Sequence, residues 1–451
     1  MTRFRFLVRP SVVGLLFCAS VLSACAQTSP RVPDRDPAVQ AVVKGVESAR
    51  VERTVRALAA FPTRHTLSGA NGADRAAEWL RQEFATIAQA SGGRLQAEKD
   101  TWTQPAGTRI SEPATLTNVV ATLPGTESPE RVIVVSGHYD SRVTDVMNTT
   151  ANAPGANDDA SGVAVVLECA RLLAGHQFPC TIVFAAVTGE EQGLYGSTHL
   201  AEKLAGEKRK VVAMFTNDIV GNSRGEGGIK NDKQIRVFSA GYDPTETPTF
   251  ATRRRAWGTD ADTGPRLLAR AVRDTARRYV PGFEAALVLR NDRYGRGGDH
   301  SPFVAQGIAA VRFTEPNEDW RHQHQDLRTE NGVVYGDLPE YVDYEYLARV
   351  ARVNVAVIAE LATAPTAPAN VTLKGDLSPN TTLSWEAPSG TAALEVLWRK
   401  TTAVDWEGVK RLAPISGTVV LPLSKDDYLF AVRAVGPTGA RSLPTVPVAG
   451  R

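Results

Sequence analysis

Residues Val132-Ile-Val-Val-Ser-Gly-His-Tyr-Asp140 open the pattern that decides the fold of this chain. A helical pattern follows at Ala160–Ala174, and a second apolar run follows at Thr181–Val187. A strand, a helix and a strand in this order predict a parallel β-α-β unit. Two further short apolar runs, Val211–Phe215 and Ile308–Phe313, extend the pattern. We therefore predict an α/β fold with a doubly wound, mostly parallel sheet that helices cover on both faces.

A second domain is predicted beyond this unit, because 451 residues exceed what one core usually organises. The large domain is placed at residues 45–362, and the Pro/Ala/Thr-rich residues 363–369 predict a linker. Short alternating strands in residues 370–451 predict a small β-sandwich. Trp385 and Tyr428 there resemble the buried tryptophan and late-strand tyrosine of fibronectin type III domains. This resemblance implies a spacer or adhesive module whose partner is unknown.

The amino terminus has the features of an export signal. Arg3, Arg5 and Arg9 precede the apolar run Ser11–Leu22, which is too short to span a bilayer. We therefore exclude residues 1–25 from the fold and expect the protein to leave the cytoplasm.

The end of that run indicates how the protein is attached. Leu22-Ser23-Ala24-Cys25 resembles the lipobox of bacterial lipoproteins, which implies a lipid on Cys25 and a place at the outer membrane or cell surface. The alternative is an ordinary secretory signal and a periplasmic or secreted protein. The polar, proline-rich start of residues 26–44 predicts a flexible tether.

The net charge excludes one class of partner. The chain carries a formal charge of +2, and removal of residues 1–25, which hold three arginines and no acid, changes it to −1. Such a chain has no bulk electrostatic attraction for nucleic acid, so we expect no nucleic-acid binding.

The cysteines limit the chemistry of any metal site. Beyond Cys18 and Cys25, Cys169 and Cys180 are the remaining cysteines, and in an oxidising compartment they form either a disulfide or two buried thiols. Two cysteines cannot build a zinc–thiolate site, so a metal here must bind to His, Asp and Glu.

Metal-binding side chains follow the predicted strands of the large domain. They occur in the segments Gly137–Asp140, Asn157–Asp159, Gly189–Glu191, Asn217–Asp218 and His322–Asp326. In a doubly wound sheet these ends converge on one crevice, where crowded acids would repel one another without cations. Imidazole and carboxylate without thiolate suit zinc better than manganese or cobalt, and the ligand number fits two ions better than one.

The motifs GHYDS, NDDASG, TGEEQGLYGS and TND resemble the bacterial two-zinc aminopeptidases, whose clan includes the transferrin-receptor and glutamate carboxypeptidase II ectodomains. The resemblance covers residues 45–362. It implies His138 and Glu191 as terminal ligands, Asp158 as the carboxylate that bridges two zinc ions, and Asp218 and His322 as the remaining ligands. His138 would pair with Asp218, and Glu191 with His322. His324 is the alternative to His322, although the spacing to Asp326 favours His322.

The same resemblance implies an exopeptidase mechanism. A hydroxide that bridges the two ions would attack the peptide carbonyl, with Glu190 as the general base. Asp140 would accept the second N–H of His138 and so fix its tautomer. The Asp158–Asp159 peptide is expected to be cis.

Three residues are expected to contact substrate. Asp299 and His300 match a family segment that lines the substrate pocket. Arg321 occupies the position before His322, where many relatives have a tyrosine that stabilises the oxyanion.

Aminopeptidase activity on peptides is the preferred function, because a free α-amine can ligate a metal or pair with a carboxylate-rich cleft. The alternatives are a carboxypeptidase, a glutaminyl cyclase-like enzyme, or a non-catalytic receptor-like binding module on the same scaffold.

One charged pattern lies outside these motifs. Arg266, Arg270, Arg273 and Arg277 form a stripe on a predicted helix, and we expect this arginine stripe to be a solvated face.

Overall fold

A computed structural model of the chain describes residues 34–450, with side chains through residue 448. The predicted export signal, Cys25 and the first part of the tether lie outside these residues. Within residues 34–450, no helix combines the length and the apolar character needed to cross a bilayer.

Helices and strands alternate through the first part of the described chain, and strands dominate the end. The α-helices are α1 (Pro37–Lys44), α2 (Ser48–Ala59), α3 (Ala73–Ala90), α4 (Ala160–Leu173), α5 (Glu190–Gly193), α6 (Tyr195–Gly206), α7 (Pro248–Ala256), α8 (Gly264–Tyr279), α9 (Ser301–Ala305) and α10 (Tyr344–Thr363). The strands are β1 (Gln96–Gln104), β2 (Ala114–Leu123), β3 (Ser128–His138), β4 (Cys180–Val187), β5 (Lys210–Asn217), β6 (Gln234–Ser239), β7 (Glu284–Val288), β8 (Ala310–Thr314), β9 (Arg328–Glu330), β10 (Val333–Tyr335), β11 (Ala369–Lys374), β12 (Thr381–Glu386), β13 (Ala393–Lys400), β14 (Gly408–Leu412), β15 (Gly417–Leu421), β16 (Tyr428–Val435) and β17 (Val448–Gly450).

One sheet of eight strands organises the large domain, in the order β1-β2-β4-β3-β5-β8-β6-β7. Its central strands β4, β3, β5 and β8 run parallel to one another. Antiparallel pairs join β1 to β2, β2 to β4 and β8 to β6. The predicted α/β sheet is confirmed, with four parallel strands at the centre and a further parallel pair, β6 and β7, at one edge.

Both faces of this sheet are buried, as predicted. Ile133 and Phe184 point to one face, where α1, α2, α3, α4, α8 and α10 complete the larger core. Their neighbours Val134 and Val183 point to the other face, where α6 and α9 cover a smaller core. Alternate residues of each strand thus serve opposite cores, which explains why these strands are apolar throughout.

The prediction that residues 26–44 form a tether is wrong for residues 37–44, which form α1. The Asp36 carboxylate accepts a hydrogen bond from the Ala38 amide (2.8 Å) and caps this helix. Val39, Val42 and Val43 share one face, and α1 buries it in the larger core beside α10. The large domain therefore begins before residue 45.

The C-terminal domain consists of two packed sheets, in the orders β15-β12-β11-β17 and β14-β13-β16. Trp385 of the first sheet and Phe430 of the second lie in one shared core. The predicted small C-terminal β-structure is therefore present. Its relationship to fibronectin type III domains stays a prediction.

Part of the arginine stripe of α8 faces the C-terminal domain, although the Arg277 side chain is still 47% exposed. The Arg270 side chain is 3% exposed and pairs with Asp262 at 2.7 Å. Arg273 and Arg277 both pair with Asp405 of the C-terminal domain, at 2.9 and 3.3 Å. The prediction of a solvated face was wrong for Arg270 and Arg273, because helical spacing defines a stripe without showing what covers it.

The two remaining cysteines do not form the disulfide that the sequence allowed. Cys169 of α4 and Cys180 at the start of β4 are both free and buried in the larger core. Each thiol packs as a small apolar group, and burial raises the pKa of both.

Candidate active site

The predicted convergence at the carboxyl ends of the strands is present. His138 ends β3, Asp218 follows β5, and Glu191 lies in α5 shortly after β4. Asp158 precedes α4 by two residues, and His324 follows the last parallel strand, β8, after a loop. Because the four central strands are parallel, these side chains meet at one edge of the sheet.

Two sets of three side chains share one carboxylate. In the first set, Nε2 of His138 lies 3.1 Å from Oδ1 of Asp158 and 3.9 Å from Oδ1 of Asp218. In the second set, Nε2 of His324 lies 2.8 Å from Oδ2 of Asp158 and 2.8 Å from Oε1 of Glu191. The donor atoms within each set lie within 4.8 Å of one another. Asp158 thus offers one oxygen to each set.

These residues fit a pair of cations. Nε2 of His138 and Oε1 of Glu191 are buried, and the contacts above lack the alignment of hydrogen bonds. Both atoms therefore lack a hydrogen-bond partner among the described residues. Unpaired buried polar atoms are costly, and a cation that takes lone pairs from the imidazoles and carboxylates would satisfy them. Imidazole and carboxylate are ligands that zinc accepts.

His322 lies outside both sets, so the prediction that it completes the second set is corrected in favour of His324. Its ring stacks on Tyr341 with centroids 3.5 Å apart, and its Nδ1 lies 2.9 Å from the carbonyl oxygen of Gly336. A short 3-10 turn at Trp320–His322 places it there. The backbone of His324 then takes a positive φ of 53°, and its ring reaches the cluster.

Acidic neighbours fix the backbone and rings of the cluster. Nδ1 of His138 lies 3.1 Å from the carbonyl oxygen of Asp140 and 3.5 Å from its carboxylate, so the backbone of Asp140 is the nearer acceptor, rather than the carboxylate that the resemblance implied. The Asp140 carboxylate also accepts from the amides of Glu190 and Glu191 (3.4 and 3.2 Å). Asp159 accepts from the His138 amide at 3.0 Å. The Asp158–Asp159 peptide is cis, as expected.

Asp158 has a second support, Asp337, that no sequence motif indicated. The Asp337 carboxylate accepts from the amides of Asn157 and Asp158, at 2.8 and 2.7 Å. Burial raises the pKa of Asp337 to about 7. Asp337 follows a short hairpin far along the chain, and no motif in that segment pointed to it.

Glu190 opens the short helix α5 beside the cluster. It follows Gly189, whose φ of 71° lets the chain turn sharply after β4. Burial raises the pKa of the Glu190 carboxyl well above its usual range. A buried carboxyl group beside the cluster that can hold a proton is suited to proton transfer.

The predicted substrate contacts occupy three different environments. Arg321 forms an ion pair with Asp319 and lies outside the cluster. His300 is buried, its Nε2 lies 2.8 Å from the carbonyl oxygen of Asn291, and burial lowers its pKa to about 4. Asp299 is also buried, which raises its pKa to about 7. His300 is therefore a neutral side chain that holds a loop.

Two arginines at the cluster were also missed. Arg142, four residues after His138, lies 2.8 Å from Glu191. Arg312 of β8 lies 2.9 Å from Asp218. A charged residue inside the otherwise apolar run Ile308–Phe313 was the available signal for Arg312, because a strand buried on both faces tolerates a charge only beside a partner.

Comparison with known proteins agrees with this geometry. The family model described as peptidase family M28 matches residues 118–331. A probable zinc metalloprotease of Leptosphaeria maculans is 45% identical over 425 residues, which cover 93% of this chain and 98% of the relative. A probable zinc metalloprotease of Pyricularia oryzae is 45% identical over 435 residues, which cover 94% of this chain and 86% of the relative.

Solved structures share the fold at low sequence identity. The LapA aminopeptidase of Legionella pneumophila is 20% identical with a TM-score of 0.52, and the match covers 75% of this chain and 78% of that one. The zinc aminopeptidase BSAP of Bacillus subtilis is 15% identical with a TM-score of 0.51, and the match covers 70% and 96%. Because the curated relatives match along nearly the whole chain, this protein belongs to peptidase family M28 and is a zinc metallopeptidase.

Proposed function

We propose that the protein is an aminopeptidase that holds two zinc ions per chain. His138, Asp158 and Asp218 would bind one ion, and Asp158, Glu191 and His324 the other. The observation that carries this proposal is the position of Asp158, with one carboxylate oxygen beside each imidazole. A carboxylate shared in this way supports two ions rather than one.

The chain's own residues would move the proton. When bound, the zinc ions lower the pKa of a water molecule and polarise the peptide carbonyl. Glu190 accepts a proton from the attacking water as its oxygen bonds to the carbonyl carbon. Glu190 then gives that proton to the amine nitrogen as the carbon–nitrogen bond breaks. Asp140 holds the Glu190 and Glu191 amides, so the two carboxylates keep separate positions.

The carboxyl groups of the cleft suit the amino end of a peptide. Asp299 and Glu190 lie in the same buried region as the three carboxylates of the two sets, and burial raises the pKa of both. A free α-amine that enters this region would ligate a metal ion or exchange a proton with one of these two carboxyl groups.

The experiment combines metal analysis with paired substrates. We would measure zinc per chain, then assay aminoacyl p-nitroanilides, the same compounds with acetylated amines, and a glutaminyl peptide. The expected result is two zinc ions per chain and hydrolysis of the free-amine compounds alone. Removal of carboxyl-terminal residues would indicate a carboxypeptidase, and ring closure of the glutaminyl peptide a cyclase. Absence of both zinc and turnover would indicate a binding module.

We also propose that the mature protein is exported and anchored through a lipid on Cys25. The support is the apolar run Ser11–Leu22 and the Leu22-Ser23-Ala24-Cys25 motif. Labelled fatty acid should be incorporated into the full chain expressed in a bacterium, but not into Cys25→Ser. An unlabelled protein that is nevertheless processed and exported would indicate an ordinary secretory signal.

A further inference from the structure

Arg312 forms an ion pair with the outer oxygen of Asp218, although the contact lacks the alignment of a hydrogen bond. Its Nη2 lies 2.9 Å from Oδ2, while the other oxygen, Oδ1, is the one that faces His138. Arg312 is 1% exposed and is itself fixed, because its Nη1 donates to Asp292 (3.2 Å) and to the carbonyl oxygen of Gly297 (2.5 Å). The guanidinium therefore has little freedom to release Asp218.

Arg142 also contacts the outer oxygen of a ligand carboxylate, that of Glu191, and unlike Arg312 it forms an aligned hydrogen bond there. Its Nε donates to Oε2 of Glu191 at 2.8 Å, and Oε1 is the oxygen that faces His324. Its Nη2 also donates to Nδ1 of His324 at 2.6 Å. This arginine comes from the loop after β3, and its side chain is 17% exposed.

We propose that Arg312 and Arg142 are positioning residues that hold the outer oxygens of Asp218 and Glu191, so that each carboxylate presents one oxygen to its metal ion. This inference rests on the proposed function, since it concerns the same two ions. Asp218 and Glu191 each belong to one set only, and each of them has its own arginine. Asp158, which serves both sets, offers both of its oxygens to the cluster.

The physical reason is a competition for carboxylate lone pairs. A free carboxylate can give both oxygens to one cation, which changes the coordination number of the ion and the space left for substrate. A guanidinium on one oxygen prevents this and fixes the rotation of the group. Groups that hydrogen-bond to metal ligands commonly change metal affinity by about 10- to 100-fold when they are removed.

The opposing effect is electrostatic. Each arginine adds a positive charge close to a dication, so its removal would strengthen metal binding if repulsion were the larger effect. For Arg312 the nearby Asp292 carboxylate offsets that charge. Orientation and repulsion therefore predict opposite changes in zinc affinity, and an affinity measurement separates them.

The test uses Arg312→Met, Arg312→Lys and Arg142→Met in the full chain. We would titrate zinc against a competing chelator and record the visible absorption spectrum of the cobalt-substituted protein. Arg270→Met is the matched control, because Arg270 is an equally buried arginine in an ion pair at the domain interface. Thermal unfolding of every variant would be recorded beside these measurements.

We expect one of two zinc dissociation constants to rise about 10- to 100-fold in Arg312→Met and in Arg142→Met, with an altered cobalt spectrum. Arg312→Lys should recover part of the affinity, and the Arg270→Met control should keep both constants while losing thermal stability. If Arg312→Met does not fold, Arg312→Lys and Arg142→Met still decide the question.

Two results would overturn the inference. Unchanged or tighter zinc constants with an unchanged cobalt spectrum would mean that these arginines are structural ion pairs only. A native protein that binds no zinc would instead remove the proposed function itself, so the two failures are distinguishable.

Discussion

Asp262 of the large domain and Arg399 of the C-terminal domain form an ion pair across the domain boundary, 2.9 Å apart, with both side chains at most 1% exposed. Arg270 joins the same carboxylate, and both arginines lie over the ring of Trp406. The C-terminal domain is therefore packed against the large domain through buried charge.

Replacement of Arg399 by Met should destabilise the protein by about 1.5–3 kcal/mol, because it removes one of two arginines from the buried Asp262 carboxylate, which keeps Arg270 as a partner. Urea unfolding measures this change. Arg277→Met is the control, since its side chain is 47% exposed and its ion pairs should contribute about 1 kcal/mol or less. Equal losses of unfolding free energy in the two variants would show that the buried ion pair contributes no more to stability than the exposed one.

Glu190→Gln should lower kcat about 10²- to 10⁴-fold, because the amide cannot take up the proton of the attacking water. Zinc content should stay unchanged, since the inner oxygens of the ligand carboxylates are untouched. Steady-state kinetics beside metal analysis checks both statements, with Glu202→Gln, an exposed residue of α6, as the control. Loss of zinc in Glu190→Gln would contradict the assignment of Glu190 as the base.

His324→Ala should lose one zinc ion per chain, because the ring supplies the imidazole of the second set. His322→Ala should keep both, since that ring stacks on Tyr341. Metal analysis after dialysis compares the two variants directly. The opposite pattern would restore His322 as the ligand and would mean that the loop rearranges when metal binds.

Glu395 should make stability depend on pH in the acid range. Burial of Glu395 opposes its ionisation, but Arg433, Arg411 and Arg441 outweigh burial and lower its pKa from 4.5 to about 2. Because the folded pKa is below the unfolded value, this stabilisation is complete above about pH 4.5 and is lost as the pH falls toward 2. The full contribution of Glu395 to the free energy of unfolding is roughly 3 kcal/mol, since each unit of difference between the unfolded and folded pKa corresponds to about 1.4 kcal/mol.

The comparison of native protein with Glu395→Gln isolates that contribution. The variant should be less stable at neutral pH, and the difference in urea midpoint should shrink as the pH falls from 5 to 3. A difference that stays constant with pH would show that the ionisation of Glu395 does not contribute.

The sequence predicted the parts of the site that follow from strand ends. His138, Asp158, Glu191 and Asp218 lie directly after or close to runs of apolar residues, and parallel strands bring such positions to one edge. The choice between His322 and His324 depended on a 3-10 turn and on one positive φ. The spacing to Asp326 favoured His322, and nothing in the local sequence predicted the backbone geometry that brings His324 to the cluster instead.

Long-range packing limited the other predictions. The burial of α1 required knowledge of α10, which lies about three hundred residues later in the chain. The arginine stripe of α8 looked solvated because its partner, Asp405, belongs to another domain. The roles of Arg142 and Arg312 could be inferred only from the structure, which places them beside Glu191 and Asp218.

The position of His324 has a consequence for the order of events in biosynthesis. The two sets of metal-binding side chains consist of five residues, which lie in segments from β3 to the loop after β8. The second set is therefore incomplete until the last parallel strand has joined the sheet. An ion captured there ties early and late segments together, and its binding energy adds to the stability of the whole domain. Metal uptake should therefore report completed folding of a newly made chain.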